Sequence, residues 1–288
     1  MAIVKTRQYA EAAKTPVPAS GLGVSAPSRS RGVLRLPPEG VTVSRHSPAA
    51  ALATFIAYYW MVSWDRQGRQ PHLQETLPHP NIYLVFENNR LQLSGVSTTK
   101  FTRILGEQGF AFGVKFRPGG FRPFLKSSVF SLTNCVVAAS DVLGPDADVL
   151  EATLVSSVVS CAQENEMVRA MESFLLQRVP TPDERVVLVD RIVGQIFHQP
   201  QIRTVDDLAN QTDINKRSLQ RIFREYVGIS PKWVIQRYRL HELIERLEAG
   251  EPLNWPDLAL ELGYFDQAHL INDFRTITGY SPADYQRR

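Results

Sequence analysis

Within nine positions the chain places Lys216, Arg217, Gln220, Arg221 and Arg224. These side chains carry the chemistry that reads nucleic acid. A guanidinium fork can bond both acceptors of guanine, a carboxamide can bond adenine, and any cation attracts phosphate. Their three- and four-residue steps put them on one side of a helix. Leu219, Ile222 and Phe223 fall on the other side. A short helix precedes, carrying Leu208 and Ala209, with a turn around Thr212 to Ile214. Ala209 is small where two helices must cross closely. That order of parts is a helix-turn-helix whose second helix is basic outward.

The pattern is written twice. "SLQRIFREYVGISP" starts at Ser218 and "HLINDFRTITGYSP" at His269, fifty-one residues later. Each runs Leu, Phe four residues on, Gly five after that, then Ser-Pro. In the second copy Ala259 takes the small position, Gly263 sits in the turn, and Leu270 and Phe274 face the core. The spacing predicts one continuous helix between the copies, from Pro231 to about Ala249, with Trp233, Leu240, Leu243, Ile244 and Leu247 as its apolar stripe. Thr204 and Asp207 have the spacing of a capping box. Ser230-Pro231 and Ser281-Pro282 place Ser at N-cap and Pro at N1, and Gly250 closes the long helix. Two modules on one rigid helix predict two readers about one DNA turn, roughly 34 Å, apart.

Other chemistries find less support. His72, Glu75 and His79 lie close in "PHLQETLPHP" and could join a metal site inside a barrel. No further ligand is evident in a matching strand, so strand-end polar residues are the default, and neither a metal nor a cofactor is expected. Arg117, beside Gly119 and Gly120, could pair an acidic effector or stabilise a turn. Neither a phosphate-cradling P-loop nor a Gly-x-Ser-x-Gly elbow is present, and the expectation is that the chain is not an enzyme. Cys135 and Cys161 are too few for a disulfide framework and read as small buried hydrophobes.

Stepping outward, 288 residues with 43% hydrophobic content suggest two domains with real cores. Net charge is +3. Residues 1–180 hold 18 basic and 13 acidic groups, giving +5, and residues 181–288 hold 14 and 16, giving −2. DNA binding by the C-terminal part would therefore not come from a bulk positive field. Residues 1–38 read as a flexible leader rather than a secretory signal, with Arg29, Arg31 and Arg35 as solvated charges. Residues 39–180 read as a β-rich effector or interaction domain with a helical end, and 181–288 as an all-α DNA-binding domain after the break "VPTPDE". "NIYLVFE", "RLQLSGV" and "GFAFGVKF" are strand patterns, the last with Phe110, Phe112, Val114 and Phe116 on one face. Several such strands predict a β-barrel or sandwich. Phe55, Tyr58, Tyr59, Trp60, Trp64, Tyr83, Phe86, Phe101, Phe112 and Phe116 are dense around it, mostly as core, some as candidate lining of an apolar ligand pocket. Helical patterns between 140 and 179 fit a dimer contact or packing onto the barrel. "AALATFIAYYWMVSW" is shorter than the roughly 20 residues of a membrane span and predicts a short helix leading into a buried strand.

On "LANQTDINKRSLQRIFREYVGISPKWVIQRYRLHELIERL" and "DLALELGYFDQAHLINDFRTITGYSP" the chain resembles the AraC/XylS family of bacterial transcription regulators. The likeness covers about 187–286. It implies sequence-specific promoter binding to double-stranded DNA by recognition helices 215–226 and 266–277 in adjacent major grooves. It implies base reading by Arg217, Gln220 and Arg221 in the first helix, and by Gln267, His269 and Asn272 in the second. Asp266 would cap the second helix, and Arg275 keeps the family's basic residue after Phe274. Asn272 and Asp273 depart from the basic or hydroxyl-bearing pair more usual there. Residues 203–246 carry 9 basic and 6 acidic groups (+3), and 247–288 carry 3 and 7 (−4). The first module is therefore expected to supply most phosphate attraction. The stretches "TLPHPNIYLVFE", "LSGVSTTKF" and "GFAFGVKFRPGGFRPFL" resemble the β-rich sensor half of some of these regulators, implying a cupin-like domain of a non-arabinose type.

The expected fold is thus α+β in two domains: an N-terminal β-barrel or cupin-like domain with helices, and a C-terminal all-α domain of two helix-turn-helix modules joined by a long helix. The expected function is that of a cytoplasmic, effector-responsive activator. Its partners would be promoter DNA, RNA polymerase, a small-molecule effector and a second copy of the chain, with no membrane. The alternative is a small-molecule- or metal-binding cupin-like protein with a degenerate helical tail.

Overall fold

A computed structural model describes Leu34, Pro38 to Val159 and Glu164 to Arg287. All of these lie in one compact unit, Arg31–Arg288. Apart from Leu34 and Pro38, the expected leader with Arg29, Arg31 and Arg35 lies outside the described residues, as does Cys161.

The N-terminal half is built on strands β1 (Val41–His46), β2 (Ile56–Asp65), β3 (His72–Thr76), β4 (Tyr83–Glu87), β5 (Arg90–Ser94), β6 (Phe101–Leu105), β7 (Gln108–Phe116) and β8 (Val136–Ala138). Six form one antiparallel sheet in the order β1-β2-β7-β4-β5-β8, and β3 and β6 pair as a separate ribbon. This corrects the expected barrel. β1 and β8 are the two edges, and no pairing among the described residues joins them, so the sheet stays open. Closure needs strand tilt and stagger that bring the edges together. Here β8 is three residues long and ends in a helix.

The alternation of "GFAFGVKF" holds. Phe112, Val114 and Phe116 are buried beside Leu84 and Phe86 of β4, and Phe110 packs against them. β7 is central, between β2 and β4, so both of its edges are paired. Helices α1 (Ala139–Leu143), α2 (Asp146–Val159), α3 (Glu164–Leu176) and α4 (Glu184–His198) follow. Leu150, Leu154, Met171, Phe174, Val189 and Ile192 join the same apolar core as the strands.

The helix-turn-helix parts come next. α5 (Val205–Thr212) opens on the expected capping box, in which Thr204 and Asp207 bond each other's backbone N–H. Asp213 turns the chain in the left-handed region at φ 54°, and Asn215 caps α6 (Lys216–Ile222). The last turn of this helix, Phe223–Val227, widens to π geometry and stops at Gly228, φ +88°. A Cβ on Gly228 would meet Thr133 Oγ1 at 2.9 Å, so both the backbone angle and the close packing call for glycine. Ser230 and Pro231 then start α7 (Pro231–Glu248), whose 18 residues span about 27 Å.

The second module repeats this plan with α8 (Trp255–Glu261), a turn at Gly263, α9 (Gln267–Thr278) and α10 (Pro282–Gln286). The first module's Leu208, Leu219 and Phe223 belong to the core that includes the sheet. The second module's Leu258, Leu270 and Phe274 share another core with α7, Leu34 and Leu77. Among the described residues no helix is long and apolar enough to cross a membrane.

Candidate nucleic-acid interface

α6 stands on Leu219 and Phe223, both fully buried. Its outward side chains Lys216, Arg217, Gln220 and Arg221 are exposed, as is Arg224 on the widened turn. Arg217, Gln220 and Arg221 make no side-chain hydrogen bond or ion pair with any described residue, which leaves their donors open to a ligand. The two flanking cations are held. Lys216 pairs with Asp206 of α5. The Arg224 guanidinium lies 3.6 Å from the ring centre of Phe130, and Ser128 Oγ donates to the Arg224 carbonyl at 2.9 Å.

α9 has the same plan with weaker charge. Asp266 accepts from the His269 N–H at 2.7 Å, as its expected capping position requires. Leu270 and Phe274 are buried, while His269, Asn272 and Arg275 are exposed and Gln267 is half-buried. His269 meets the Tyr264 ring edge-on, with centroids 5.2 Å apart. The departure at Asp273 resolves inward, because its carboxylate accepts the Tyr264 hydroxyl at 2.6 Å. Burial first, then this carboxylate, drives the Tyr264 phenol far above its usual range. Further acid in this module is also occupied: Glu261 pairs with Arg246 at 2.6 Å, and Asp284 with Arg287. The segment charge of −4 thus overstates the acid that α9 presents outward.

Sequence reasoning missed Phe265, which is 87% exposed one residue before the α9 cap. An aromatic ring there has the chemistry to pack on a thymine methyl. The signal was its place in a turn, where an apolar side chain has no core to enter.

The other candidates scatter. Glu75 is fully buried and receives Lys100 Nζ at 2.6 Å and the Tyr280 hydroxyl at 3.0 Å. His79 packs within 4.7 Å of His241, centroid to centroid. His72 remains on β3 beside Glu75 in sequence, and no group of three metal-ligating side chains occurs among the described residues. Arg117 is a turn clamp: its Nε donates to the Ala53 carbonyl at 2.8 Å and its guanidinium pairs with Asp190 at 3.2 Å. Cys135 is exposed, contrary to the expectation of burial, because it sits in the turn before the edge strand β8. A Ser-x-x-Lys spacing also runs from Ser97 to Lys100, but Ser97 Oγ bonds Thr99 while Lys100 turns to Glu75 and the Thr278 carbonyl. Among the aromatics, Phe55, Tyr59, Phe86, Phe112 and Phe116 are core, and Phe101 is exposed.

Residues 208–288 match a family described as a helix-turn-helix domain, and residues 44–138 match a domain of unknown function, DUF6597. Over 93 residues the chain is 28% identical to an HTH-type transcriptional regulator of Haemophilus influenzae, covering 32% of this chain and 31% of that one. YbfI, an uncharacterized HTH-type transcriptional regulator of Bacillus subtilis, is 27% identical over 42% of this chain and 48% of its own. AarP, an HTH-type transcriptional activator of Providencia stuartii, is 31% identical over 29% of this chain and 61% of its own. The matched helix-turn-helix domain and these regulators support the AraC/XylS resemblance of the helical part. The chain's matches span less than two thirds of each of these relatives. ToxT of Vibrio cholerae is a looser structural neighbour, 11% identical with a TM-score of 0.35, over 84% of this chain and 99% of that one. The matched helix-turn-helix region takes in both α6 and α9.

Proposed function

We propose that this chain is a sequence-specific DNA-binding transcription regulator of the AraC type. The observation that carries the reading is the pair of exposed polar faces, on α6 and α9, tied to one continuous α7. In this reading Arg217, Gln220 and Arg221 contact base edges, while Lys216 and Arg224 contact phosphates. Gln267, His269 and Asn272 read the adjacent groove from α9, Asp266 fixes the start of that helix, Arg275 meets the backbone, and Phe265 packs on a thymine methyl. The parts divide as leader 1–38, effector or interaction domain 39–180, and DNA-binding domain 181–288.

The named activator AarP supports activation as the direction of control. RNA polymerase, a small-molecule effector and a second copy of the chain are the further partners in this proposal, and the cytoplasm its compartment. Catalysis has no part in it. Replacing Arg221 with Ala tests the placement of α6. We expect a loss of about 1–3 kcal/mol of specific affinity with relaxed preference at one base position. Wild-type affinity in that variant would remove α6 from the groove.

A further inference from the structure

The two helix-turn-helix modules are fastened to the sheet half in different ways. The first is joined to it firmly. Its Leu208, Leu219 and Phe223 lie in the same apolar core as the strands. The segment after β7 also ties its last turn: Ser128 Oγ donates to the Arg224 carbonyl at 2.9 Å, and Thr133 Oγ1 to the Gly228 carbonyl at 2.5 Å. The second module packs in a separate core around the end of α7, and no residue of that core lies on a strand. A body attached along one helix keeps a pivot about it unless a second contact lies off the axis. The loop between β5 and β6, residues 95–100, supplies such a contact twice.

The Thr98 carbonyl accepts from Arg237 Nη2 of α7 at 2.6 Å. Arg237 is 1% exposed, its guanidinium lies 4.3 Å from the centre of the Trp233 ring, and its Nε and Nη1 have no hydrogen-bond partner among the described residues. A buried cation holds tightly to the few partners it has. Burial pulls this guanidinium down to about 10, and the Asp273 carboxylate of α9 opposes that. The loop, α7 and α9 thus meet at one side chain. Two residues on, Lys100 Nζ donates to the Thr278 carbonyl at 2.7 Å. That places a cation at the C-terminal end of α9, where the helix dipole favours it. The loop is itself held by Asn134, the residue after Thr133. Asn134 is left-handed, φ 60°. Its Oδ1 accepts both the Thr98 N–H at 2.8 Å and the Thr98 hydroxyl at 3.0 Å. A short path therefore runs from the Gly228 carbonyl, behind the first reader, through Thr133, Asn134 and Thr98 to Arg237, and on through Lys100 to the end of the second.

We propose that the β5–β6 loop is a strut that fixes the second reader relative to the first, and that Asn134 is its positioning residue. Asn134 touches no DNA; it acts through Thr98, Arg237 and Lys100. Holding both readers at one angle before contact removes an ordering cost from binding and penalises sites whose blocks are wrongly spaced. Asn134 is exposed, so its side chain can be changed without emptying a core. That the strut serves DNA reading rests on the regulator reading; the joint between the loop, α7 and α9 does not.

The test uses the full chain and two readouts. The first is affinity for a duplex carrying the two blocks that the chain selects from a randomised pool, and for duplexes with one or two base pairs inserted between the blocks. The wild type is expected to bind the lengthened sites about tenfold more weakly or worse. Asn134→Gly keeps the left-handed backbone but removes the acceptor, and should narrow that penalty to about threefold or less. Asn134→Asp keeps an acceptor and tolerates the same backbone, and should restore the wild-type penalty. The second readout needs no DNA. Amides of α9 are expected to exchange hydrogen faster in Asn134→Gly than in the wild type, and those of α6 equally in both. The proposal is overturned if Asn134→Gly keeps the wild-type spacing penalty, or if Asn134→Asp loses it as the glycine variant does. Either result, with selective DNA binding intact, sinks the strut alone. A wild type that binds no DNA selectively sinks the regulator reading, and the exchange of α9 then decides the strut: faster in Asn134→Gly upholds the joint, and unchanged overturns it.

Discussion

The Arg224 guanidinium stacks on the Phe130 ring at 3.6 Å, joining the end of the first recognition helix to the sheet half. Beside it, Thr133 Oγ1 donates to the Gly228 carbonyl at 2.5 Å and Arg122 pairs with Glu225 at 3.0 Å. One of the cations proposed to contact phosphate is thus already engaged within the chain. Phe130→Ala is expected to release Arg224. Folding stability should fall by about 0.5–1 kcal/mol, while non-specific DNA affinity rises, most visibly at low salt. Chemical denaturation and a salt titration of DNA binding check both. Unchanged DNA affinity would show that Arg224 serves packing alone.

The second module is fastened differently. Buried Glu75 of β3 receives Lys100 and Tyr280, and Lys100 also donates to the Thr278 carbonyl at the end of α9 at 2.7 Å. Glu75→Gln leaves the half-buried Lys100 ammonium without its carboxylate beside that helix end. A loss of about 3 kcal/mol is expected in urea unfolding. Lys100→Met combined with Glu75→Gln should recover part of it, because no lone charge then remains. A double variant as unstable as the single one would contradict this assignment.

Lys115 gives a pH signature. Its folded value, about 8, lies below the 10.5 of the free side chain. Between these values the unfolded chain binds more protons than the folded one, so stability rises with pH across that window. Relative to Lys115→Met, the wild type should gain up to about 1.4 kcal/mol per pH unit there. Below pH 8 the difference should be flat. Urea midpoints of the two proteins at pH 7, 8, 9 and 10 measure it, and parallel curves would place Lys115 in water.

The two modules were legible in the sequence because their determinants are local. The capping box at Thr204, the Ser-Pro starts and the stop at Gly228 each act within a few residues. The barrel was not legible, since closure depends on whether β1 and β8 meet across nearly a hundred residues. Asp273 looked like an outward acid until Tyr264, across the turn, drew it in. The alternation in "GFAFGVKF" gave the core face of β7 correctly. It left the other face blank, because Gly113 and Lys115 gain meaning only from the register of β2 and β4. Arg224 on Phe130 is a contact between residues ninety-four apart, beyond any local pattern.

The most direct test of two coupled readers is selection from a randomised duplex DNA pool by the full chain, followed by sequencing of the bound fraction. The expected result is two short enriched blocks whose centres lie about 10–10.5 base pairs apart, the spacing of adjacent major grooves on one face. Arg221→Ala should blur one block, and Asn272→Ala the other. A bound fraction with no sequence enrichment would contradict sequence-specific reading by α6 and α9.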